Sequence, residues 1–178
     1  DLDDNCLGFN TVGWLKHSIS SNLNELYGYN LNRMYRDGLY IKNFDKIIVD
    51  KINKIKENLA NPSRNFSNLT FTVTTCKRLD RFIDTMTHLL LKLKDPEVID
   101  EWILIDDNST EYDRIKMQEL YPFFRFIFKE PKDKGHAKSL NMLWDTINTK
   151  YVFHFEDDWR CNESFYIGPY LDFLKSSS

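Results

Sequence analysis

The sequence predicts an α/β protein with a mostly parallel sheet that is covered by helices on both faces. Two observations lead to this prediction. From residue 68 onward, short runs rich in β-branched and aromatic residues alternate with longer segments in which apolar residues recur every three or four positions. Polar and turn-forming residues separate these segments. Strands that alternate with helices of this length indicate βαβ units, which build a parallel sheet between two helical layers.

The first part of the pattern predicts two strands, each followed by a helix. Residues 69–75 are rich in threonine and apolar residues and predict the first strand, and residues 101–105 predict the second. The helix that follows residues 106–110 carries Ile115, Met117 and Leu120. The helix between the two strands ends at Asp95-Pro96 and is indicated by apolar residues at helical spacing: Leu79, Phe82, Ile83, Met86, Leu89, Leu90 and Leu93.

The second part predicts two more strands around a third helix. Residues 124–128 are predicted to form the third strand, and a charged loop follows over 129–135. The helix predicted over 137–147 carries Leu140, Leu143 and Trp144 on one side. The fourth strand is predicted over 151–155.

Residues 1–66 are predicted to be a mainly helical N-terminal extension of unknown role. Isoleucines and a leucine at helical spacing predict a helix over 44–60, which Asn61-Pro62 ends. A short helix is expected after a turn near Asn10, and a short strand over 38–42. The pattern becomes regular only after this segment. We therefore place a domain boundary after residue 66, and residues 67–178 form the second predicted domain.

Three consecutive carboxylates follow the fourth predicted strand. Glu156, Asp157 and Asp158 repel one another, and their burial is costly unless a cation neutralises them. Hard oxygen ligands suit Mg²⁺ or Mn²⁺, which typically bridge one or two carboxylates to substrate phosphates. On a strand, Glu156 and Asp158 share one face and Asp157 points to the other, whereas a turn could bring all three together. The alternative interpretation is a solvated acidic turn.

Polar clusters also stand at the ends of the other predicted strands. Because ligands bind at the carboxyl ends of strands in open parallel sheets, four such clusters on one edge predict a binding site. The clusters are Thr74-Thr75-Cys76-Lys77-Arg78, Asp106-Asp107-Asn108-Ser109, Lys134-Gly135-His136-Ala137-Lys138 and Glu156-Asp157-Asp158.

Composition excludes several classes of partner. The 178 residues are 42% hydrophobic and 15% aromatic, as expected for a packed globular protein, and the formal net charge is -3. Nucleic acid is not expected as the main partner, because binding to its phosphates needs a basic surface. No apolar run is long enough for a membrane span. Three widely spaced cysteines, Cys6, Cys76 and Cys161, favour reduced thiols and a cytoplasmic location.

The order and spacing of four motifs resemble the nucleotide-sugar-binding half of GT-A glycosyltransferases, especially their family-2-like group. This resemblance covers about residues 68–165 and implies a Rossmann-like fold of the GT-A type. The four motifs are Phe71-Thr72-Val73-Thr74-Thr75-Cys76-Lys77-Arg78, Leu104-Ile105-Asp106-Asp107-Asn108-Ser109-Thr110, Gly135-His136-Ala137-Lys138-Ser139-Leu140-Asn141 and Phe155-Glu156-Asp157-Asp158.

The resemblance implies a UDP-sugar donor, a sugar or protein hydroxyl as acceptor, and Mn²⁺ or Mg²⁺ as cofactor. It implies that Thr74 lies near the base and that Asp107 accepts the uracil imide N–H. Asp157 would contact the ribose or a metal-bound water, and Asp158 would coordinate the ion, with Glu156 at the first position of the metal motif. Other implied donor-site residues are Thr75, Arg78, His136 and Lys138, the last two of which could equally be solvated helix residues.

The sequence departs from this family in two places. Glu156 replaces the usual aspartate, which keeps an acid at the first motif position. Only about twenty residues follow Asp158, so we expect that the acceptor-binding half is missing and assign no catalytic base. An inverting mechanism is implied by the resemblance. The alternatives are a non-catalytic or truncated domain that binds a nucleotide or partner, and a sugar nucleotidyltransferase, which usually has a glycine-rich loop after its first strand.

Overall fold

A computed structural model describes the backbone of residues 8–10, 15–16 and 39–41 and the continuous segment 44–177. The chain divides into two compact units, Asp1–Asp50 and Lys51–Ser178. The boundary that the sequence analysis places after residue 66 stays a prediction.

In the first unit, the described residues include a small antiparallel sheet. Its strands are β1 (Gly8–Asn10), β2 (Leu15–Lys16) and β3 (Leu39–Ile41), in the order β2-β1-β3. The strand predicted over 38–42 is confirmed, whereas β2 stands where a short helix was expected. The reason is that backbone pairing with β1 satisfies its polar groups in the extended conformation. The predicted helix is confirmed as α1 (Phe44–Ala60), which begins in this unit and ends in the second.

In the described part of the second unit, four parallel strands form one sheet. They are β4 (Leu69–Thr75), β5 (Glu101–Asp106), β6 (Arg125–Phe128) and β7 (Tyr151–Glu156), in the order β6-β5-β4-β7. The chain therefore builds outward from β4 to β6 on one side and then crosses to β7 on the other. This change of direction puts a topological switch point between β4 and β7, where open α/β sheets bind ligands.

Helices cover both faces of this sheet, which confirms the predicted fold class. The helices are α2 (Leu79–Lys92), α3 (Glu111–Leu120), α4 (His136–Thr146) and α5 (Gly168–Ser176). Among the helices of the described part of the chain, none is long and apolar enough to cross a membrane.

The two faces of the sheet have cores of different composition. On one face, the fully buried Phe71 of β4 packs against Trp102 of β5, with ring centroids 4.8 Å apart. Phe82 of α2 and Tyr121, which follows α3, extend this aromatic core with ring centroids 5.4 Å apart. On the other face, Leu143 of α4 joins a smaller aliphatic cluster with Ile103 and Ile105 of β5. Packing on both faces fixes the positions of the strand ends, and therefore the positions of the loops that follow them.

The segment after β7 is tied back to the body of the unit at α5. Asp95 accepts hydrogen bonds from the backbone N–H groups of Ile167 (2.8 Å) and Gly168 (2.7 Å), at the start of that helix. A carboxylate is favourable at this end because the first N–H groups of a helix have no partners within the helix. Asp95 therefore fixes where the chain goes after the acidic motif. The sequence analysis did not predict α5.

Candidate functional site

The loops that follow the four parallel strands meet at one edge of the sheet. Two of them contain residues in the left-handed backbone conformation, Lys77 with φ of 54° and Asn108 with φ of 65°. Asparagine tolerates this region, whereas lysine is less often found there. The backbone N–H of Lys77 donates to Ser109 Oγ at 2.7 Å, so the strained loop after β4 is held by the loop after β5. Strain of this kind is typical of functional sites.

Asp157 ties the end of β7 to the end of β4. Its side chain is fully buried and accepts hydrogen bonds from Thr75 Oγ1 at 2.8 Å and from the backbone N–H of Cys76 at 3.3 Å. Its own carbonyl accepts from Thr85 Oγ1 of α2 at 2.9 Å. Burial raises the pKa of Asp157, against the opposing effect of the hydrogen bonds from Thr75, Arg78 and Cys76. From its buried position, Asp157 therefore holds together the end of β4, the end of β7 and α2 at the switch point.

Arg78 bridges the last two carboxylates of the acidic motif. Its Nε donates to Asp157 Oδ2 at 3.3 Å, and its Nη2 forms a close ion pair with Asp157 Oδ1. Its Nη1 donates to Asp158 Oδ2 at 3.1 Å. The side chains of Arg78 and Asp158 are 43% and 39% exposed, so this end of the bridge faces the solvent.

Asp107 holds the loop that leads into α4. Its Oδ2 accepts from the backbone N–H of Gly135 at 2.9 Å, and its Oδ1 accepts from Asn108 Nδ2 at 2.9 Å and lies 3.2 Å from Lys129 Nζ. Burial alone would raise the pKa of Asp107, but the hydrogen bonds from Asn108, Gly135 and Lys129 outweigh burial and lower it. A carboxylate offers about four acceptor positions, so one remains for a ligand.

Lys129 is a site residue that the sequence analysis missed. It is 1% exposed, and its Nζ also donates to the Gly135 carbonyl at 2.7 Å and to Ser139 Oγ at 2.8 Å. These bonds satisfy the ammonium and fix Gly135, whose φ of 128° favours glycine. The available signal was its position directly after β6, two residues beyond Ile127, which packs on the α4 face of the sheet.

A second missed pair stabilises the loop after β5. Asp106 is fully buried, accepts from the backbone N–H of Ser109 at 3.1 Å, and pairs with Arg114 Nε at 2.7 Å. Arg114 also donates to the Lys129 carbonyl at 3.0 Å. The sequence analysis took Asp106 as part of the polar cluster, but its partner lies eight residues away on α3.

These loops enclose a cleft of about 370 Å³ that is predominantly basic. It lies between the ends of β4, β5 and β6. Lys129 and Arg114 are paired with Asp107 and Asp106, so the exposed Lys77 and Lys134 are the side chains that would attract an anionic ligand. The residues that line it are Lys77, Asn108, Ser109, Arg114, Lys129, Glu130, Pro131 and Lys134.

The remaining predicted donor-site residues are divided between this edge and its surroundings. Thr74 is buried within β4, where it is paired with Glu156 of β7. His136 Nε2 lies 3.4 Å from Glu156 Oε1, which brings the start of α4 to the acidic motif. Lys138 is exposed and pairs with Asp133 at 2.5 Å, so in this arrangement its ammonium is directed toward the loop before α4.

The acidic motif is where the resemblance implies a divalent cation. Within the described residues, no three His, Cys, Asp or Glu side chains are grouped so as to hold a metal ion. Glu156 and Asp158 are 35% and 39% exposed, and each has one charged partner. Because Mg²⁺ often uses one or two carboxylates and completes its shell with substrate phosphates and water, two accessible carboxylates fit an ion that binds together with a diphosphate.

Part of this chain is similar to a curated protein sequence. No family model matches this chain. A protein of Acanthamoeba polyphaga mimivirus, provisionally named a fucosyltransferase, is 41% identical over 69 residues, which cover 33% of this chain and 11% of the relative. This chain therefore spans about a tenth of the length of that relative. The similarity connects part of the chain with a protein named for sugar transfer.

Among solved structures, a mannosyltransferase from Pyrobaculum calidifontis, in complex with GDP-Man and Mn²⁺, aligns with this chain. The TM-score is 0.42 at 16% sequence identity, and the alignment covers 67% of this chain and 38% of the mannosyltransferase.

Proposed function

We propose that this chain is the nucleotide-sugar-binding part of a metal-dependent glycosyltransferase. The observation that carries the proposal is the convergence of Arg78, Asp157 and Asp158 at the switch point between β4 and β7. The basic cleft opens at the same edge of the sheet. The sequence similarity to a protein named as a fucosyltransferase supports sugar transfer as the reaction class.

We propose that the base of the donor lies near Thr74 and Asp107 and that its diphosphate lies near Asp158. Asp107 has the acceptor capacity to take one N–H from a base, while Asn108, Gly135 and Lys129 hold the carboxylate in place. The proposed donor is a UDP-sugar, in which the uracil imide supplies that N–H. GDP-sugars belong in the same test, because guanine also presents an N–H to a carboxylate.

Glu156 and Asp158 are the residues that would hold Mn²⁺ or Mg²⁺. When bound, such an ion would neutralise the charge that develops on the departing diphosphate. His136, beside Glu156 at the start of α4, would add a donor near the phosphates, helped by the N-terminal end of that helix. Asp157 would act indirectly, by fixing the positions of Arg78 and of the loop after β4.

The proposed acceptor is a sugar or protein hydroxyl, and the proposed outcome is inversion, as in the family that the motifs resemble. A catalytic base is not assigned. Two alternatives are kept. A non-catalytic domain that binds a nucleotide or a partner would use the same cleft, whereas a sugar nucleotidyltransferase is less favoured because Cys76, Lys77 and Arg78 supply no glycine for a triphosphate loop.

Calorimetric titration tests the proposal directly. The wild-type protein and Asp158→Ala are titrated with UDP, GDP and their sugar conjugates, with Mn²⁺ and with EDTA. We expect metal-dependent binding of one nucleotide family and a loss of at least about tenfold in affinity in Asp158→Ala, because a metal-ligating carboxylate is removed. Asp172→Ala, which removes an exposed carboxylate on α5, is the matched control. Absence of nucleotide binding by the wild type under all conditions would refute the proposed function.

A further inference from the structure

We propose that Arg78 is a positioning residue that couples the divalent cation to the donor diphosphate. In this proposal its guanidinium stays anchored on Asp157, holds Asp158 until the cation binds, and then donates to the diphosphate. The inference rests on the proposed function and deepens it, since it assigns the order in which the charges of the site exchange partners.

The anchored side of Arg78 is its contact with Asp157. The two carboxylate oxygens of Asp157 receive Nε and Nη2 of the same guanidinium, a two-point contact that also fixes the orientation of the plane. Asp157 is fully buried. Withdrawal of Arg78 would leave a buried carboxylate without its counter-ion, which is strongly destabilising. Arg78 is therefore expected to keep this contact whatever the site binds.

The exchangeable side of Arg78 is its contact with Asp158. This pair is joined by a single hydrogen bond of 3.1 Å from Nη1, and both side chains are substantially exposed. Exposed ion pairs contribute little to stability, because solvent screens them and two long side chains must be held in place. Asp158 can therefore turn from the guanidinium to a divalent cation without disturbing Asp157.

The same geometry leaves Arg78 able to bind an anion. A guanidinium has five N–H groups, and the contacts with Asp157 and Asp158 use three of them. If Asp158 turns to the cation, Nη1 has both of its N–H groups available, and a planar guanidinium is well suited to phosphate oxygens. Cation and diphosphate would then each favour the binding of the other, because each removes one side of the Arg78–Asp158 pair.

Arg78→Gln is expected to change the affinity for Mn²⁺ and the affinity for nucleotide in opposite directions, and so tests the two parts of the proposal separately. Mn²⁺ alone, followed by the paramagnetic resonance of the free ion, should bind about two- to fivefold more tightly, because an exposed competitor has been removed. UDP or GDP, titrated in saturating Mn²⁺, should bind at least about tenfold more weakly, because a charge-assisted hydrogen bond to phosphate is lost. A merely structural role for Arg78 would weaken both.

Two further variants keep the test decisive. Arg81→Gln removes one exposed positive charge from α2, three residues after Arg78, and is the control for long-range electrostatics, with both affinities expected to stay within twofold. If Arg78→Gln unfolds, Arg78→Gln combined with Asp157→Asn replaces the buried ion pair by two neutral amides and should show the same tightening of Mn²⁺ binding. Circular dichroism shows which variants are folded.

The outcomes distinguish this inference from the proposed function. The inference is overturned if the folded Arg78 variants bind Mn²⁺ no more tightly than Arg81→Gln does, including the case in which none of them binds Mn²⁺. It is also overturned if nucleotide affinity in saturating Mn²⁺ is the same in Arg78→Gln and wild type. Failure of the wild type to bind any nucleotide with Mn²⁺ removes the proposed function and the diphosphate half of the inference, while the Mn²⁺ titration still decides the competition for Asp158.

Discussion

Two buried aspartates, Asp107 and Asp157, lie just beyond the ends of β5 and β7, the strands on either side of β4. Both carboxylates lose contact with water on folding, but the balance between burial and hydrogen-bond donors in setting the pKa differs. For Asp157 burial prevails and raises the pKa, whereas for Asp107 the donors prevail and lower it. Asp107 accepts from a backbone N–H and a side-chain amide and also has the Lys129 ammonium beside it. Its charged form is therefore the stabilised one.

Asp107→Asn is expected to reduce the free energy of unfolding at pH 7 by about 1–3 kcal/mol, the usual cost of losing hydrogen bonds to a charged group. Because the pKa of Asp107 is lower in the folded state, its contribution is fully present above the ordinary carboxyl value of about 3.9. That contribution is lost as the pH falls through the folded-state pKa. The difference between wild type and variant should therefore shrink between pH 5 and pH 2.

Urea unfolding at a series of pH values measures this difference. Asp172→Asn, on the exposed side of α5, controls for the change of net charge. A difference that stays constant down to pH 2 would mean that the Asp107 carboxylate has no special stabilisation in the folded state.

At the scale of elements, each loop of the site is fixed by a contact from another loop or helix. The loop after β4 is held by Ser109, and the loop before α4 is held by Asp107 and Lys129. The start of α3 has its own local device, since Thr110 Oγ1 accepts from the backbone N–H of Asp113 at 3.1 Å. Such a cap satisfies an N–H group that the helix itself cannot.

Thr110→Ala is expected to lower the free energy of unfolding by about 1 kcal/mol, the typical cost of losing a helix cap. Thr110→Ser keeps a hydroxyl at this position and should retain most of the stability. Chemical denaturation of the three proteins under identical conditions makes the comparison. Equal loss in the alanine and serine variants would contradict the capping role.

At the scale of the whole second unit, we expect the aromatic core on one face of the sheet to contribute most to the free energy of unfolding. Phe71 is fully buried, and its ring lies within 6.2 Å of the ring centroids of four other aromatic residues, Trp102, Phe124, Phe153 and Phe155. These aromatic residues come from β4, β5 and β7 and from the position directly before β6. The core therefore fixes how the strands are aligned along their length. This alignment sets the positions of the loops at their carboxyl ends.

Phe71→Ala is expected to reduce the free energy of unfolding by about 3–5 kcal/mol, because it removes a large buried side chain and leaves a cavity. Phe173→Ala is the matched control, since the side chain on α5 is 69% exposed and its removal should cost less than about 0.5 kcal/mol. Thermal and urea unfolding of both variants give the comparison. Similar losses at the two positions would mean that the aromatic face does not dominate stability.

Much of the fold could be predicted from the sequence because its signals are local. The predicted bounds of β4 and α1 agree with the structure, and those of β5, β6, α4 and β7 differ by one residue at one or both ends. The alternation predicted for Glu156, Asp157 and Asp158 does not apply, because β7 ends at Glu156 and the two aspartates lie in the turn that follows. The helix α5 was missed, since its start depends on the remote carboxylate of Asp95.

The predicted site residues lie at or near one edge of the sheet, but their charge partners could not be predicted. The metal, the UDP-sugar and the roles of the individual residues stay predictions, as does the cytoplasmic location. Cys76 and Cys161 carry free thiols in the structure, and Cys6 lies outside the residues it describes.

The sequence by itself determined the order of the four parallel strands and of the helices between them along the chain, and the polar and acidic side chains at the strand ends. Both can be read from short stretches of chain. Apolar residues recur every two residues in strands and every three to four in helices, and clusters of acids follow apolar runs. Only the tertiary structure decided that Arg78 lies between Asp157 and Asp158, 79 and 80 residues away, and that Lys129 is buried beside Asp107. The physical reason is that a charge takes the partner that packing brings within hydrogen-bonding distance, and packing depends on the whole sheet and its two helical layers.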